Sequence, residues 1–336
     1  MIENTTHELE LRNELSHETG NLPQTEAATL SQIYIQAATS KNTRRAYQQD
    51  IRHFMRWGGV LPTTPDVIIA YLHHYATLLN ARTLMRRITA IKNWHIYQGF
   101  SDPTAHPLVR KTLSGIRNLH GKPKEKALAL QVEDLVLMIN CLKKQDKLID
   151  WRNIALLQIG FFGALRRSEL VAIRFSDLNF VSEGVEILIP RSKTDQTGEG
   201  QVCAIPWGDL VLCPPTALKT WCEKANITQG YVFRGITRSG QLSEQPLEAN
   251  YFSRLLKNAA KDSKLQNPEK YSGHSLRRGF AVAASQQGVS LSAIMQQGRW
   301  KDAGTAIGYM EEGTRFESNA AGIILQKRNS RLPENG

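Results

Sequence analysis

Long apolar runs are missing from this chain of 336 residues, and no stretch approaches the length needed to cross a bilayer. Its opening residues, MIENTTHELELRNELSHETG, lack the basic and apolar regions of a secretory signal, so the expected location is the cytoplasm. Cysteine is scarce. Cys141, Cys203, Cys213 and Cys222 form no Cys-x-x-Cys pair and have no nearby histidine, which argues for reduced, structural thiols and against a zinc site. There is also no glycine-rich nucleotide loop and no carboxylate cluster suited to Mg²⁺, so neither ATP nor a metal is expected as cofactor. Acidic charge is scarce outside the first 26 residues. That stretch holds six glutamates and one arginine, a net of −5, which leaves +16 on the other 310 residues of a chain whose total is +11. A folded body this basic implies a polyanionic partner, nucleic acid before membrane, because no lipid-anchoring motif accompanies the charge.

Hydrophobic residues make up 41% and charged residues 22%, ordinary values for a globular chain long enough for two domains. Residues 1–24 are polar and acidic and read as a disordered tail. Helical periodicity follows over Thr25–Thr39 (Leu30, Ile33, Tyr34, Ala37) and Asn42–Trp57 (Tyr47, Ile51, Phe54, Met55). A third helix starts at Thr64 with Pro65 in its first turn, a fourth covers Arg82–Tyr97, and a fifth His106–Asn118. No strand pattern interrupts them, so residues 25–119 are expected to form an all-α domain. Basic residues cluster there, with Lys41, Arg44 and Arg45 at one helix start and Arg82, Arg86, Arg87 and Lys92 along another. They suit backbone phosphates; a plain solvated face is the alternative.

Residues 120–130, HGKPKEKALAL, read as a linker. Residues 131–336 are expected to form a mixed α+β domain. Val185, Ile187 and Ile189 alternate with period two, and after the turn-rich RSKTDQTGEG a second run, Gln201–Ile205, predicts a β-hairpin. The remaining segments read as helices, so the fold class is mainly α with a small β-sheet or hairpin.

One stretch organises the rest, His274 to Tyr309. From Leu276, apolar residues recur at Phe280, Ala283 and Ala284, an amphipathic helix on which His274 and Arg277 lie roughly 60° apart, clear of the stripe's centre. A second short helix follows an N-cap at Asp302, with Tyr309 at roughly 110° from the middle of its own stripe, flanking the core. Two cation-capable side chains, the Trp300 indole and a phenol are thereby placed to meet in one cleft.

Taken in order, the candidates are Arg166, Lys193, His274, Arg277, Trp300 and Tyr309. With the motifs GALRRSEL, RSKT at the hairpin turn, HSLRRGFA and GRW, and with Tyr309 nine residues after Trp300, the chain resembles the tyrosine recombinase (phage integrase) family, its Cre-like members above all. TSKNTRRAYQQDIRHFMRW resembles the start of that family's helical, SAM-like core-binding domain.

The resemblance implies a site-specific DNA recombinase that cleaves and rejoins strands through a 3′-phosphotyrosyl intermediate and a four-way junction. It implies that Arg166 and Arg277 clamp the scissile phosphate, that Tyr309 is the nucleophile, that His274 takes or relays its proton, and that Lys193 protonates the leaving 5′-oxygen. Trp300 would donate a hydrogen bond to the phosphate. Glu169 would orient the arginine or histidine, with a plain surface glutamate as the alternative, and Arg166 taken alone is equally open to an ordinary ion pair with Glu169. Tyr271 is the competing tyrosine and reads as a packing residue. The implied partners are double-stranded DNA with an inverted-repeat target and three further copies of the chain in a homotetramer, with Ala320, Ile323, Ile324 and Leu325 as an apolar plug between neighbours; packing of that tail on its own subunit is the alternative. The same chemistry would serve a type IB topoisomerase or a telomere resolvase, and a catalytically silent DNA-binding protein is the non-enzymatic alternative.

Overall fold

Ser40, itself in an extended conformation, turns its Oγ back to accept the Thr43 backbone N–H (3.2 Å), which caps the first described helix of the computed structural model. The structure describes residues 38–123, 125–190, 200–237 and 239–315, together with 319, 321, 324 and 325. The expected tail at 1–24, most of the expected helix Thr25–Thr39, and Lys193 in the hairpin turn lie outside the described residues. The chain divides into two compact units, residues 1–124 and 125–336.

In the first unit, α1 (Lys41–Arg56), α2 (Pro65–Tyr75), α3 (Ala81–Tyr97) and α4 (Pro107–His120) pack around Phe54, Ile68, Leu72, Leu84, Ile88 and Ile91. Leu84, Ile88 and Ile91 recur at the spacing that places one helix face on this core. Proline stands at the start of both α2 and α4, where its missing N–H costs no helical hydrogen bond.

A buried polar network crosses the same core. Asp50, 2% exposed, accepts from Arg86 Nε (2.7 Å) on Oδ2 and from Arg86 Nη2 (2.8 Å) on Oδ1, while Arg87 Nε stands 3.5 Å from the same Oδ1. Arg87 also reaches the His53 ring and donates to the Tyr71 hydroxyl (3.1 Å). Burial first, and then the Arg87 cation, push His53 below the usual histidine range. Arg87 therefore departs from the expectation of a DNA-facing residue, since an acid on a neighbouring helix draws its guanidinium inward. Arg86 keeps half of its side chain exposed while holding Asp50. An Asp50→Ala substitution strands the Arg87 charge. It is expected to destabilise this unit by about 3 kcal/mol, read as roughly 100-fold faster hydrogen exchange of the α1–α3 core amides in the full chain.

The second unit is built on α6 (Leu148–Phe162), in which Ile154, Ala155, Leu156, Leu157, Ile159 and Phe161 are all essentially buried. A helix buried on nearly every face, with Asp150, Arg152, Asn153 and Gln158 among its buried residues, has to be surrounded, and α5 (Val132–Lys143), α8 (Pro214–Lys224) and α10 (Gly273–Gln286) cover it. The remaining helices are α7 (Arg167–Ala172), α9 (Ala249–Asp262), α11 (Leu291–Gly298) and α12 (Ala303–Gly313). The expected hairpin is present as β2 (Gly184–Ile189) and β3 (Gln201–Pro206), antiparallel with Val185 opposite Ile205 and Ile187 opposite Cys203. Val185, Ile187 and Ile189 face inward, as their alternation requires.

Three strands escaped the periodicity. β1 (Leu178–Val181) pairs antiparallel with β2, and β4 (Arg234–Ile236) pairs with β5 (Leu242–Pro246) in a separate two-stranded sheet. These strands are short and no residue in them is fully buried, so alternation leaves no mark on them.

α10 also differs from its expected stripe. Leu276, Arg277, Arg278, Ala281, Val282 and Ser285 are buried, whereas Phe280, Ala283 and Ala284 are only partly so. The helix lies between α6 and α12, and the segment around Leu130 crosses it at Gly279. A Cβ at Gly279 would overlap the Leu130 backbone, so glycine is required for this close approach. Arg277 thus stands inside the packing, whereas its periodicity placed it clear of the buried stripe. The four cysteines are free thiols. Among the described residues no helix is long and apolar enough to cross a membrane.

Candidate active site

The site begins at the turn between α6 and α7. Ala164 is fully buried in a left-handed conformation (φ 44°), and the turn delivers Arg166 to the N-cap of α7. Glu169, one turn later, accepts the Arg166 backbone N–H (2.9 Å) on one carboxylate oxygen and Arg166 Nη1 (2.7 Å) on the other. Glu169 is thus ion-paired with the Arg166 side chain and hydrogen-bonded to its backbone.

Arg277 approaches from α10. Its Nη1 donates to the Ala164 carbonyl, its guanidinium lies 4.1 Å from the centroid of the Trp300 ring, and its Nη2 is buried with no hydrogen-bond partner. Burial, then the neighbouring Arg166 cation, pull its pKa down to about 9, while Glu169 and Tyr309 act in the opposite direction. Trp300 in turn meets the Tyr309 ring edge-on at 6.0 Å between centroids. Arg166, Arg277, Trp300 and Tyr309 are thus brought together. Tyr309 is half-buried beside the cluster of Ala164, Ala281, Ile294 and Ala306, flanking the core as its helical position requires. His274 is exposed in the first turn of α10, one turn before Arg277 and on the same side of the helix. Tyr271 is buried and donates its hydroxyl to Asp134 (3.1 Å), and burial and Asp134 push its pKa up to about 12.

Two arginines at this site escaped the sequence reading. Arg278 lies 5.8 Å from the centroid of the Tyr309 ring, donates to the Ala127 carbonyl and pairs with Glu312 on α12. With Ser285 Oγ donating to the Met310 carbonyl (3.3 Å), it fastens the helix that carries the phenol. Arg278→Ala is expected to loosen α12 against α10, read as faster hydrogen exchange of the α12 amides with the α6 core amides unchanged. Arg299 is the second, buried at the C-terminal end of α11 with a left-handed backbone (φ 53°). Nothing in the spacing of Gly-Arg-Trp distinguishes it from a solvent-facing cation.

In the first unit, Lys41 and Arg45 are exposed on the opening turns of α1, and Arg44 donates to the Thr39 carbonyl. Arg82 donates to the Lys122 carbonyl (3.1 Å) and Lys92 lies 3.9 Å from Asp102. The four basic residues of α3 are therefore each engaged within their own unit.

A helical unit followed by a mixed unit that gathers two arginines, an indole and a phenol is the architecture of a tyrosine recombinase. The sequence model of the phage integrase family matches residues 129–314, and that of the phage integrase N-terminal SAM-like domain matches residues 30–98. The chain belongs to the phage integrase family. It is 36% identical over 306 residues to the integrase/recombinase xerD homolog of Selenomonas ruminantium, covering 87% of this chain and 88% of that protein. With the recombinase cre of Escherichia phage P1 it shares 26% identity over 266 residues, 74% of this chain and 76% of that one. Among solved structures, a lambda integrase dimer bound to a COC′ core site has a similar fold, with a TM-score of 0.58 and 17% identity over 91% of this chain and 85% of that one.

Proposed function

We propose that this protein is a site-specific DNA recombinase in which Tyr309 is the nucleophile and Arg166 and Arg277 hold the scissile phosphate. The observation that carries the reading is Arg277 Nη2, a buried cationic donor without a protein acceptor, one aromatic ring away from the phenol. A donor left unmatched inside a protein is costly, and a non-bridging phosphate oxygen removes that cost. Arg166 keeps an exposed edge beside it, so two planar guanidinium groups can take the two non-bridging oxygens and gain strength as charge builds in the transition state.

Tyr309 Oη forms the new bond to phosphorus as the bond to the 5′-oxygen breaks. The phenolic proton passes to His274, and Lys193 supplies a proton to the departing 5′-oxygen. Trp300 can donate its indole N–H to the phosphate but cannot shuttle a proton, so its part is binding. The 5′-hydroxyl of a partner strand then attacks the 3′-phosphotyrosine and releases Tyr309. One phosphodiester replaces another through a link of similar energy, so neither ATP nor a metal is needed. Two such exchanges per duplex pass through a four-way junction, in a homotetramer on paired inverted repeats. Lys41 and Arg45 contribute phosphate contacts, and the exposed Ile324 and Leu325 contribute apolar contact between neighbours. The protein acts on the DNA of a bacterial cell, its phages or its plasmids.

The test is selection of a bound duplex from a randomised pool, followed by cleavage of that duplex carrying a nick beside the expected break. A covalent complex at one fixed phosphate in each half-site supports the reading. Sequence-independent relaxation of supercoils points to a topoisomerase, and specific binding with no strand breakage points to a silent DNA-binding protein.

A further inference from the structure

We propose that Arg299 is a positioning residue that sets the two phosphate-binding guanidinium groups, and that its left-handed backbone is held for this purpose. The proposal rests on the recombinase reading above. Arg299 Nη2 donates to the Gly163 carbonyl (2.9 Å) and lies 3.5 Å from the Ala164 carbonyl, the acceptor that also receives Arg277. The same nitrogen lies 3.6 Å from the Glu169 carboxylate oxygen that accepts the Arg166 backbone N–H. Arg299 Nη1 donates to the Gln297 carbonyl (2.8 Å), closing the end of its own helix. One buried side chain thus touches the group that orients Arg166 and the group that orients Arg277.

The turn it supports is itself unusual. Ala164 is a second non-glycine residue in the left-handed region, and both carbonyls of the Gly163–Ala164 pair are taken by arginine side chains. A left-handed residue other than glycine or asparagine is disfavoured and persists where surrounding contacts fix it. At Arg299 those contacts are the helix-end hydrogen bonds from its own N–H to Gln296 (3.1 Å) and from the Trp300 N–H to Met295 (3.0 Å), joined by those of the guanidinium. Glu169 is shared between two arginines, so Arg166 receives part of the carboxylate's charge and keeps an edge for the phosphate. Without Arg299, Glu169 pairs with Arg166 alone and the turn beneath Arg277 loses its second clamp.

Arg299→Gly is the informative variant, because glycine accepts the left-handed backbone and the change reports on the side chain. In single-turnover cleavage of a nicked target duplex, the rate is expected to fall about 30-fold, with DNA affinity within about twofold of the parent and cooperative unfolding retained. Arg299→Lys is expected to recover part of the rate. In a Glu169→Gln background, adding Arg299→Gly is expected to cost clearly less than its roughly 30-fold effect on the parent, because part of that effect runs through the shared carboxylate and the rest through the Gly163–Ala164 turn. Unchanged cleavage, a loss matched by lost affinity, fully additive effects with Glu169→Gln, or an unfolded Arg299→Gly protein would each overturn the proposal. A parent protein that forms no covalent complex would instead sink the recombinase reading.

Discussion

A Tyr309→Phe protein is expected to bind the target duplex with unchanged affinity and to form no covalent complex, a loss of more than about 10⁴-fold in cleavage. Only the hydroxyl is removed, and the ring keeps its edge-on contact with Trp300 and its place beside Arg278. Stability should therefore be nearly that of the parent. The effect is total because, among the described residues, no other phenol contacts the Arg277 and Trp300 cluster. Tyr271, the nearest tyrosine in sequence, is buried with its hydroxyl committed to Asp134. Denaturing electrophoresis of protein mixed with labelled duplex separates the outcomes. A persistent covalent band from the phenylalanine variant would remove Tyr309 from the mechanism.

The second large effect belongs to Arg277. Arg277→Met is expected to lower cleavage by about 10²–10³-fold, while the free protein stays within about 1 kcal/mol of the parent or gains stability. The reason is the sign of the shift. A base whose pKa falls on folding binds its proton more weakly in the native chain than in the unfolded one. Stability therefore rises with pH from about 9, the folded value, toward the ordinary arginine value, and at neutral pH the buried charge is a burden on the free protein. Methionine removes the burden along with the function. Arg277→Lys keeps the charge and loses the planar fork, so its cleavage is expected to fall by about 10² as well. Thermal unfolding with and without duplex separates the terms, and DNA should stabilise the parent more than the methionine variant. Near-parental cleavage by Arg277→Met would mean that the buried guanidinium does not face the phosphate.

Residue spacing revealed those parts of the molecule whose burial is one-sided. Leu84, Ile88 and Ile91 mark α3, and Val185, Ile187 and Ile189 mark β2, because each series faces a single core. The pattern fails where burial is two-sided or absent. α10 is covered by both α6 and α12, so its arginines are buried beside its leucine, and the half-exposed strands β4 and β5 alternate with nothing. Arginines show the limit most sharply. Arg87 and Arg277 are both arginines on amphipathic helices and each leaves one buried nitrogen without a hydrogen bond, yet Arg87 has the Asp50 carboxylate at 3.5 Å whereas Arg277 has a backbone carbonyl and the Trp300 ring. That difference depends on which acid arrives from a distant segment, which local spacing does not encode. The order of Arg166, Arg277, Trp300 and Tyr309 along the chain was legible through the motifs GALRRSEL, HSLRRGFA and GRW that carry the family resemblance. Arg278 and Arg299 support that cleft through backbone carbonyls and carboxylates, and such contacts leave no motif behind.

The most direct measurement is mass spectrometry of the covalent complex trapped on a nicked duplex and digested with trypsin and nuclease. Residues 302–315, released by cleavage after Lys301 and Arg315, contain Tyr309 as their single tyrosine. The expected result is this peptide carrying a nucleotide through a 3′-phosphate, with a free 5′-hydroxyl on the released strand. A nucleotide on any other peptide, or a 5′-phosphate linkage, would contradict the placement of the phenol beside the arginine pair as the attacking group.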